Sequence, residues 1–269
     1  DDEARAAGIT AIVGMGASPG VSNLLASAAH AQLDSVDTLY TIWRGGVGVP
    51  PRPERREDVK PAAAIDHWIH NLAEPIRVWK DGRHQTAEAL ETFEISYPGI
   101  GPATLWSCGH PEPITLPRTF ADISTCYNLM FARPGLIDAA RQVRDRVRAG
   151  EIDVAEGSIE FLMMRGRSGA DAGPIPAYPG VFGYAEGLKD GVPTRAVVST
   201  RVIPRGGMGE STCIPLAIAA GMIARGEADR PGVSAPEASI DPAIFFERLA
   251  PFARLDEEVD PLDIRVEAL

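Results

Sequence analysis

Residues 11–23 read AIVGMGASPGVSN, a short apolar run that meets a cluster of glycines and continues into a helical pattern. A strand, a glycine-rich turn and a helix in this order are typical of a dinucleotide-binding turn, where backbone N–H groups at the helix start hold phosphate. The glycines here are Gly14, Gly16 and Gly20, so the third stands one residue later than in the G-x-G-x-x-G fingerprint. Pro19 also removes one N–H group that could hold phosphate.

This pattern favours a turn that is structural or that faces the substrate over a loop that binds the cofactor phosphates. Ser18 is predicted to be the N-cap of a helix over residues 19–33. The N–H groups of Gly20 and Val21 at that helix start can still bind an anion such as a substrate carboxylate. An alternative stays open, in which residues 14–20 form the cofactor loop of a self-contained dehydrogenase. That alternative requires parallel strands on both sides of the preceding strand.

The composition is that of a globular protein of ordinary polarity. The 269 residues are 45% hydrophobic and 23% charged, and the net charge of −11 argues against a nucleic-acid partner. The three cysteines, Cys108, Cys126 and Cys213, form no CxxC pair, so we expect neither a disulfide framework nor a zinc site, and a cytoplasmic location. The sequence shows no transmembrane run and no signal peptide. Residues 1–8 read as a helix that ends at Gly8, and a chain that opens within a helix is predicted to be part of a longer protein.

The patterns along the chain predict an α+β fold with a mixed, largely antiparallel sheet and helices mainly on one face. Two hairpins are indicated by the turns Asp81-Gly82 and Asp190-Gly191. The Pro-rich stretch 109–120 is predicted to be an irregular connection. Helices are predicted over residues 19–33, 60–72, 134–149, 211–225 and 241–249.

Several segments resemble, in order, the saccharopine dehydrogenase and lysine 6-dehydrogenase family. These segments are GITAIVGMGASPGVSNLLA (8–26), TLYTIWRGGVGVP (38–50), EPIRVWKDGR (74–83), TFEISYPGIGPATLWSCGHPEPITLP (92–117) and ESTCIPLAIAAGMIARGEADRPGVSAPE (210–237). Two positions depart from the family. Ser18 stands where the saccharopine-reductase branch has Asp, and Leu136 stands where the lysine-dehydrogenase branch has His. The substrate therefore remains open between these and other amino acids.

The resemblance implies a division of the molecule. Residues 1–20 are expected to be the tail end of a dinucleotide-binding domain with a hinge, including a remnant strand and helix. Residues 21–269 are expected to form a substrate-binding and dimerisation domain that resembles the C-terminal domain of glyceraldehyde-3-phosphate dehydrogenase. The resemblance further implies NAD or NADP in the intact enzyme, bound mostly by an N-terminal half outside this sequence. It implies a homo-oligomer with no metal, nucleic acid or membrane as partner.

Three further stretches supply candidate contacts for an amino-acid substrate. Arg44-Gly45-Gly46 ends a strand, where an arginine can clamp a carboxylate; the alternative is a surface arginine beside a tight turn. Glu210-Ser211-Thr212 opens a helix and suits an anion, or simply caps that helix. Arg133 precedes Pro134, which also reads as an ordinary helix start.

The remaining candidates surround the glycine cluster. Ser18, Gly20 and Asn23 are expected at the boundary between nicotinamide and substrate, with Gly16, Ser18 and Pro19 nearest to the cofactor. The catalytic residue cannot be assigned from the sequence, and His110 is the one candidate proton donor. The resemblance implies hydride transfer between NAD(P) and a C–N bond of an amino acid or its imine. The alternative is a ligand-binding or assembly module without catalysis.

Overall fold

The computed structural model describes residues 1–45, 54–59, 63–164, 178–228, 230–253 and 260–269. The α-helices of the described residues are α1 (Asp2–Ala6), α2 (Val21–His30), α3 (Ala63–Ala73), α4 (Glu112–Thr119), α5 (Pro134–Arg148), α6 (Val154–Met164), α7 (Met208–Ala224) and α8 (Pro242–Leu249). The strands are β1 (Thr10–Ile12), β2 (Ser35–Arg44), β3 (Ile76–Lys80), β4 (Arg83–Ala87), β5 (Thr92–Tyr97), β6 (Gly101–Ser107), β7 (Thr125–Phe131), β8 (Val181–Lys189), β9 (Val192–Thr200), β10 (Gly232–Ser234) and β11 (Leu262–Ala268). Within these ranges, no helix combines the length and apolar character needed to span a bilayer.

Nine of these strands form one mixed sheet. Seven follow the order β11-β9-β8-β2-β7-β3-β4; of the other two, β6 pairs with β7 and β5 pairs with β6. Strands β2 and β7 are parallel, and every other pair in this sheet is antiparallel. Strands β1 and β10 form a separate two-stranded parallel sheet. The predicted α+β class with a mixed, largely antiparallel sheet is therefore confirmed.

Two hydrophobic cores flank the large sheet. Leu39 of β2 belongs to the core shared with α2, α4, α7 and α8, whereas Ile42 belongs to the core shared with α3, α5 and α6. The expectation that helices cover mainly one face is therefore wrong. The reason lies in strands β2, β7, β8 and β9. Apolar residues stand at both odd and even positions along these strands, so both faces of the sheet must be buried.

Helix α2 packs directly on β8 because a glycine lets the backbones approach. A Cβ atom at Gly183 would lie 2.4 Å from the Leu25 carbonyl oxygen and 2.5 Å from Ala26 Cα, so no larger side chain fits there. Leu24 and Leu25 are completely buried in this contact layer. The close approach fixes the start of α2, which carries the residues of the candidate site.

Three local predictions differ from the structure. The stretch predicted to be irregular contains α4. Pro111 and Pro113 stand at its N-cap and in its first turn, where a missing N–H group costs nothing, and only Pro117 lies inside the helix. Helix α6 was not predicted. It packs with α3 and α5 in one hydrophobic core. Ser18 is not the N-cap of α2: Gly20 takes that position, and the Ser18 hydroxyl points to a carboxylate elsewhere.

Replacing Gly183 by alanine tests the close packing of α2 on the sheet. We expect Gly183→Ala to lower the free energy of unfolding by about 1–3 kcal/mol, because the methyl group overlaps the α2 backbone. Urea denaturation measures the change. Gly180→Ala is the matched control, since no heavy atom outside its immediate chain neighbours lies within 4 Å of the new Cβ atom. Equal stability of the two variants would contradict the packing described here.

Candidate active site

The candidate site is built around a buried carboxylate at the start of α4. Glu112 is 0% exposed, and its Oε1 atom accepts three hydrogen bonds. The donors are Ser18 Oγ at 2.6 Å, Ser22 Oγ at 2.7 Å and Asn128 Nδ2 at 3.3 Å. They come from the glycine loop, from α2 and from β7, so one carboxylate joins three separate elements.

The surroundings keep Glu112 ionised. Burial alone would raise the pKa of Glu112, but the charge and hydrogen bonding of His110 and the hydroxyls of Ser18 and Ser22 outweigh burial, and its pKa lies below the usual range. A buried carboxylate is stable only when it is paired and hydrogen-bonded. Here Oε1 accepts the hydrogen bonds, whereas Oε2 accepts none and faces His110 Nδ1 at 3.5 Å. The ionised group accepts hydrogen bonds and can donate none.

His110 stands beside this carboxylate with one ring nitrogen turned towards it. Its Nδ1 atom lies 3.5 Å from Glu112 Oε2 and 3.4 Å from Ser18 Oγ. Because the Ser18 hydroxyl gives its proton to Glu112, the tautomer that suits both neighbours of Nδ1 is the one with the hydrogen on Nδ1. This arrangement leaves Nε2 of the neutral ring as a proton acceptor. The side chain is 14% exposed and packs against Trp43, at 5.7 Å between ring centroids.

A polar network holds the two partners in place. Asn128 donates to Thr41 Oγ1 at 2.9 Å and accepts from Trp43 Nε1 at 2.8 Å, which links the parallel strands β2 and β7 beside Glu112. Asn71 of α3 donates to the carbonyl of Gly109 at 3.0 Å and so fixes the segment that precedes His110. The His110–Glu112 pair is therefore set on rigid elements from both cores.

The glycine loop uses the N–H groups at the start of α2 for its own hydrogen bonds. Gly20 has φ +125°, and a Cβ atom there would lie 2.3 Å from the backbone N and O atoms of Gly16, so the loop folds tightly on itself. The N–H of Gly20 donates to Asn23 Oδ1 at 2.9 Å, and that of Val21 donates to Gly16 O at 2.9 Å. These N–H groups are thus used inside the loop, and neither a pyrophosphate nor the expected carboxylate finds them free.

Asn23 ties the same loop to a second buried carboxylate. Its Nδ2 atom donates to Glu237 Oε2 at 2.9 Å and to Thr115 Oγ1 at 3.2 Å. Glu237 lies in the short 3-10 turn Pro236–Ala238 and is 7% exposed, and burial raises its pKa. Asn23 therefore joins the start of α2 to α4 and to this turn.

Arg44, predicted to clamp a carboxylate, lies apart from this group. It donates to the carbonyl of Tyr178 at 3.0 Å, and its guanidinium carbon lies 5.6 Å from the centre of the Phe131 ring. Side chains alternate along a strand, so Arg44 points away from the face that carries Thr41 and Trp43. Its role as a substrate anchor stays a prediction. Gly45 packs against Met130, and Gly46 lies outside the described residues.

The other predicted contacts are distributed between the loop and the surface. Thr212 of α7 touches the glycine loop: its Cγ2 atom would lie 3.1 Å from a Cβ atom at Gly16. Glu210 is exposed and accepts the N–H of Gly207 at 2.7 Å, so it caps its own helix, with Ser211 in the same turn. Arg133 is exposed at the N-cap of α5.

Sequence reasoning named Ser18, Asn23 and His110 but missed Glu112 and Asn128. No periodic pattern marks a single glutamate in a Pro-rich stretch, and its only sequence signal is its position two residues after His110. Asn128 sits within a buried apolar strand, where one polar residue among Leu and Met is a signal of a buried hydrogen bond.

No known protein-family profile matches the chain. Among solved structures, the chain is similar to the apo form of histidine-tagged saccharopine dehydrogenase (L-Glu forming) from Saccharomyces cerevisiae. The two align with a TM-score of 0.59 at 14% sequence identity, over 100% of this chain and 76% of that chain. The likeness confirms the resemblance at the level of the fold. The chain therefore has a saccharopine dehydrogenase-like, oxidoreductase-type fold.

Proposed function

We propose that the chain is the substrate-binding and catalytic part of an NAD(P)-dependent oxidoreductase that acts on a C–N bond of an amino acid or its imine. The observation that carries the proposal is the His110 ring, held by a buried, ionised Glu112 so that one ring nitrogen faces away from the carboxylate. The structural likeness to saccharopine dehydrogenase supports the reaction class. Buried ionisable groups with perturbed pKa values cluster at functional sites, which favours catalysis over a pure assembly role.

In this proposal His110 moves the proton of the reacting nitrogen. Its Nε2 atom accepts a proton from the substrate ammonium, which frees the lone pair that forms the C=N bond. In the reverse direction the protonated ring returns that proton to the amine nitrogen that is left once the C=N bond has been reduced. Glu112 stabilises the protonated ring electrostatically, since the two are 3.5 Å apart and the carboxylate is shielded from water. The nicotinamide, when bound, supplies the hydride acceptor or donor for the substrate carbon.

The N–H groups of Gly20 and Val21 are used within the glycine loop, so we propose that another domain holds the dinucleotide phosphates. The support is the small sheet of β1 and β10. Two parallel strands alone are an unusual unit, because parallel sheets are normally larger and covered on both faces. Ile9, Val13 and Val233 on and beside these strands are 56%, 52% and 41% exposed. We propose that residues 1–20, with the paired strand β10, belong to the edge of that larger domain and that the rest of the chain forms the substrate domain.

Substitution of His110 tests the proton-transfer role. We expect His110→Gln to lower kcat for amino-acid oxidation by the intact, cofactor-binding protein about 10²–10⁴-fold, the range that a positioned acid–base group supplies. NAD(P)H formation over a panel of amino acids measures the effect. His84→Gln is the matched control; this residue lies on β4 against Trp79 and should leave kcat unchanged. Equal kcat for both variants, or no turnover with any amino acid by the unmodified protein, would remove the basis of the proposal.

Substitution of Glu112 separates electrostatics from packing. Glu112→Gln keeps an oxygen for Ser18 and Ser22 but removes the charge beside His110. Because the neutral amide no longer favours the protonated ring, the pH range in which imine reduction is fast should move to lower pH. The pH profile of kcat/KM measures the shift. A uniform loss of activity with an unmoved profile would show that Glu112 acts through packing alone.

Calorimetric titration tests where the cofactor is held. The N–H groups of Gly20 and Val21 are occupied within the loop, so we expect the 269-residue chain to bind neither NAD(H) nor NADP(H) with micromolar affinity. Micromolar binding to this chain would contradict the proposed division of roles. The Gly20→Ala chain, whose loop cannot close, is the control. It shows whether any heat of binding arises from the loop.

A further inference from the structure

Glu237 is the second buried carboxyl group beside the glycine loop, and its contacts differ from those of Glu112. Its Oε2 atom accepts the amide of Asn23 at 2.9 Å, and Thr115 also acts on the group as a hydrogen-bond partner. Its Oε1 atom is buried and has no hydrogen-bond partner within the described ranges of the chain. The corresponding oxygen of Glu112 faces His110 at 3.5 Å. A buried anion with one oxygen left without a partner is far more costly than a neutral carboxyl group in the same state.

The charged and titratable neighbours of Glu237 also favour its protonated form. Glu112 of α4 adds a negative charge, and Cys126 of β7 is a thiol whose pKa burial raises well above the usual range. The guanidinium of Arg230 is directed to a backbone carbonyl. Burial raises the pKa of Glu237 most, and the charge of Glu112 raises it further, which outweighs the hydrogen bonds that favour the ion.

Asn23 transmits the position of Glu237 to the candidate site. Its side chain is bonded at both ends, since Nδ2 donates to Glu237 and Oδ1 accepts the N–H of Gly20 at 2.9 Å. The acceptor at Nδ2 therefore decides which way the amide faces and whether its oxygen meets the glycine loop. Ser18 precedes Gly20 by two residues in that loop and donates to Glu112. A displacement of Glu237 thus reaches the buried carboxylate of the candidate site.

We propose that Glu237 is a positioning residue that works as a neutral carboxylic acid and holds Asn23, and with it the glycine loop, in place beside Glu112. Loss of the proton from Glu237 creates a second negative charge in the interior near Glu112. Because the ion is better solvated by water, it leaves its place and releases Asn23. The link to the reaction rests on the function proposed above, whereas the proton on Glu237 does not.

Urea unfolding of the 269-residue chain between about pH 5 and pH 8 tests the protonation of Glu237. A glutamate in an unfolded chain ionises near about pH 4.3, whereas folded Glu237 keeps its proton to higher pH. The unfolded state therefore loses this proton first, and the unmodified chain loses stability as the pH rises through this range. Glu237→Gln keeps a neutral group of the same size. We expect its urea midpoint to rise relative to that of the unmodified chain as the pH increases.

Glu247→Gln is the matched control for this experiment. Glu247 is exposed on α8, so the same change of charge there should leave the midpoint parallel to that of the unmodified chain at every pH. A difference between Glu237→Gln and the unmodified chain that does not change with pH would show that folded Glu237 is already ionised, and it overturns the proposal. The experiment needs no turnover, so its outcome is separate from that of the proposed function.

The pH profile of amino-acid oxidation by the intact, cofactor-binding protein tests the positioning role. His110 must be unprotonated to accept a proton, which gives an acid limb, and Glu237 must keep its proton, which gives an alkaline limb. We expect Glu237→Gln to move the alkaline limb of kcat upwards by about one pH unit or more. Glu237→Ala removes the acceptor for Asn23 and should lower kcat about tenfold at every pH.

The control and the contrary outcomes are equally specific. Glu247→Gln should reproduce the profile of the unmodified protein. An alkaline limb that stays in place in Glu237→Gln overturns the positioning role. Absence of turnover in the unmodified protein contradicts the proposed function instead, and the unfolding experiment then decides on the neutral Glu237 by itself.

Discussion

The buried carboxylate of Glu112 is the constraint on which the rest of the site depends. Its charge is tolerable in the interior only because hydroxyl groups of Ser18 and Ser22, the amide of Asn128 and the imidazole of His110 surround it. Removing one partner of a buried charge typically costs about 3–5 kcal/mol. The glycine loop, α2, β7 and the segment before α4 are therefore held in one arrangement by a single side chain.

The sheet supplies the second part of this constraint. Strands β2 and β7 run parallel, so Thr41 and Asn128 stand side by side at matching register positions. On that face α2 approaches β8 closely enough that Gly183 accepts no side chain. Together these contacts bring the hydroxyls at the start of α2 to the same point as the amide of β7. Fold and site are thus specified by the same packing.

Much of the fold was predictable because local patterns carry it. The Asp81-Gly82 and Asp190-Gly191 hairpins and the start of α8 at Asp241-Pro242 follow from turn and cap chemistry, and the structure confirms them. The placement of helices on both faces of the sheet was not predictable from periodicity. A strand with apolar residues at both odd and even positions does not indicate which element covers each face. The site was half predictable. Ser18, Asn23 and His110 were named, but Glu112 is 94 residues from Ser18, and only the fold brings the two together.

The tautomer of the neutral His110 ring is the property on which its proposed role as proton acceptor depends. If Ser18 gives its proton to Glu112, the hydrogen of neutral His110 resides on Nδ1 and the lone pair on Nε2, where a substrate nitrogen can meet it. A long-range proton–nitrogen NMR correlation spectrum of the histidine ring, recorded at a pH at which the ring is neutral, reports this tautomer directly. The account predicts the Nδ1–H form. Observation of the Nε2–H form would contradict it, because Nε2 would then have no lone pair with which to accept the substrate's proton.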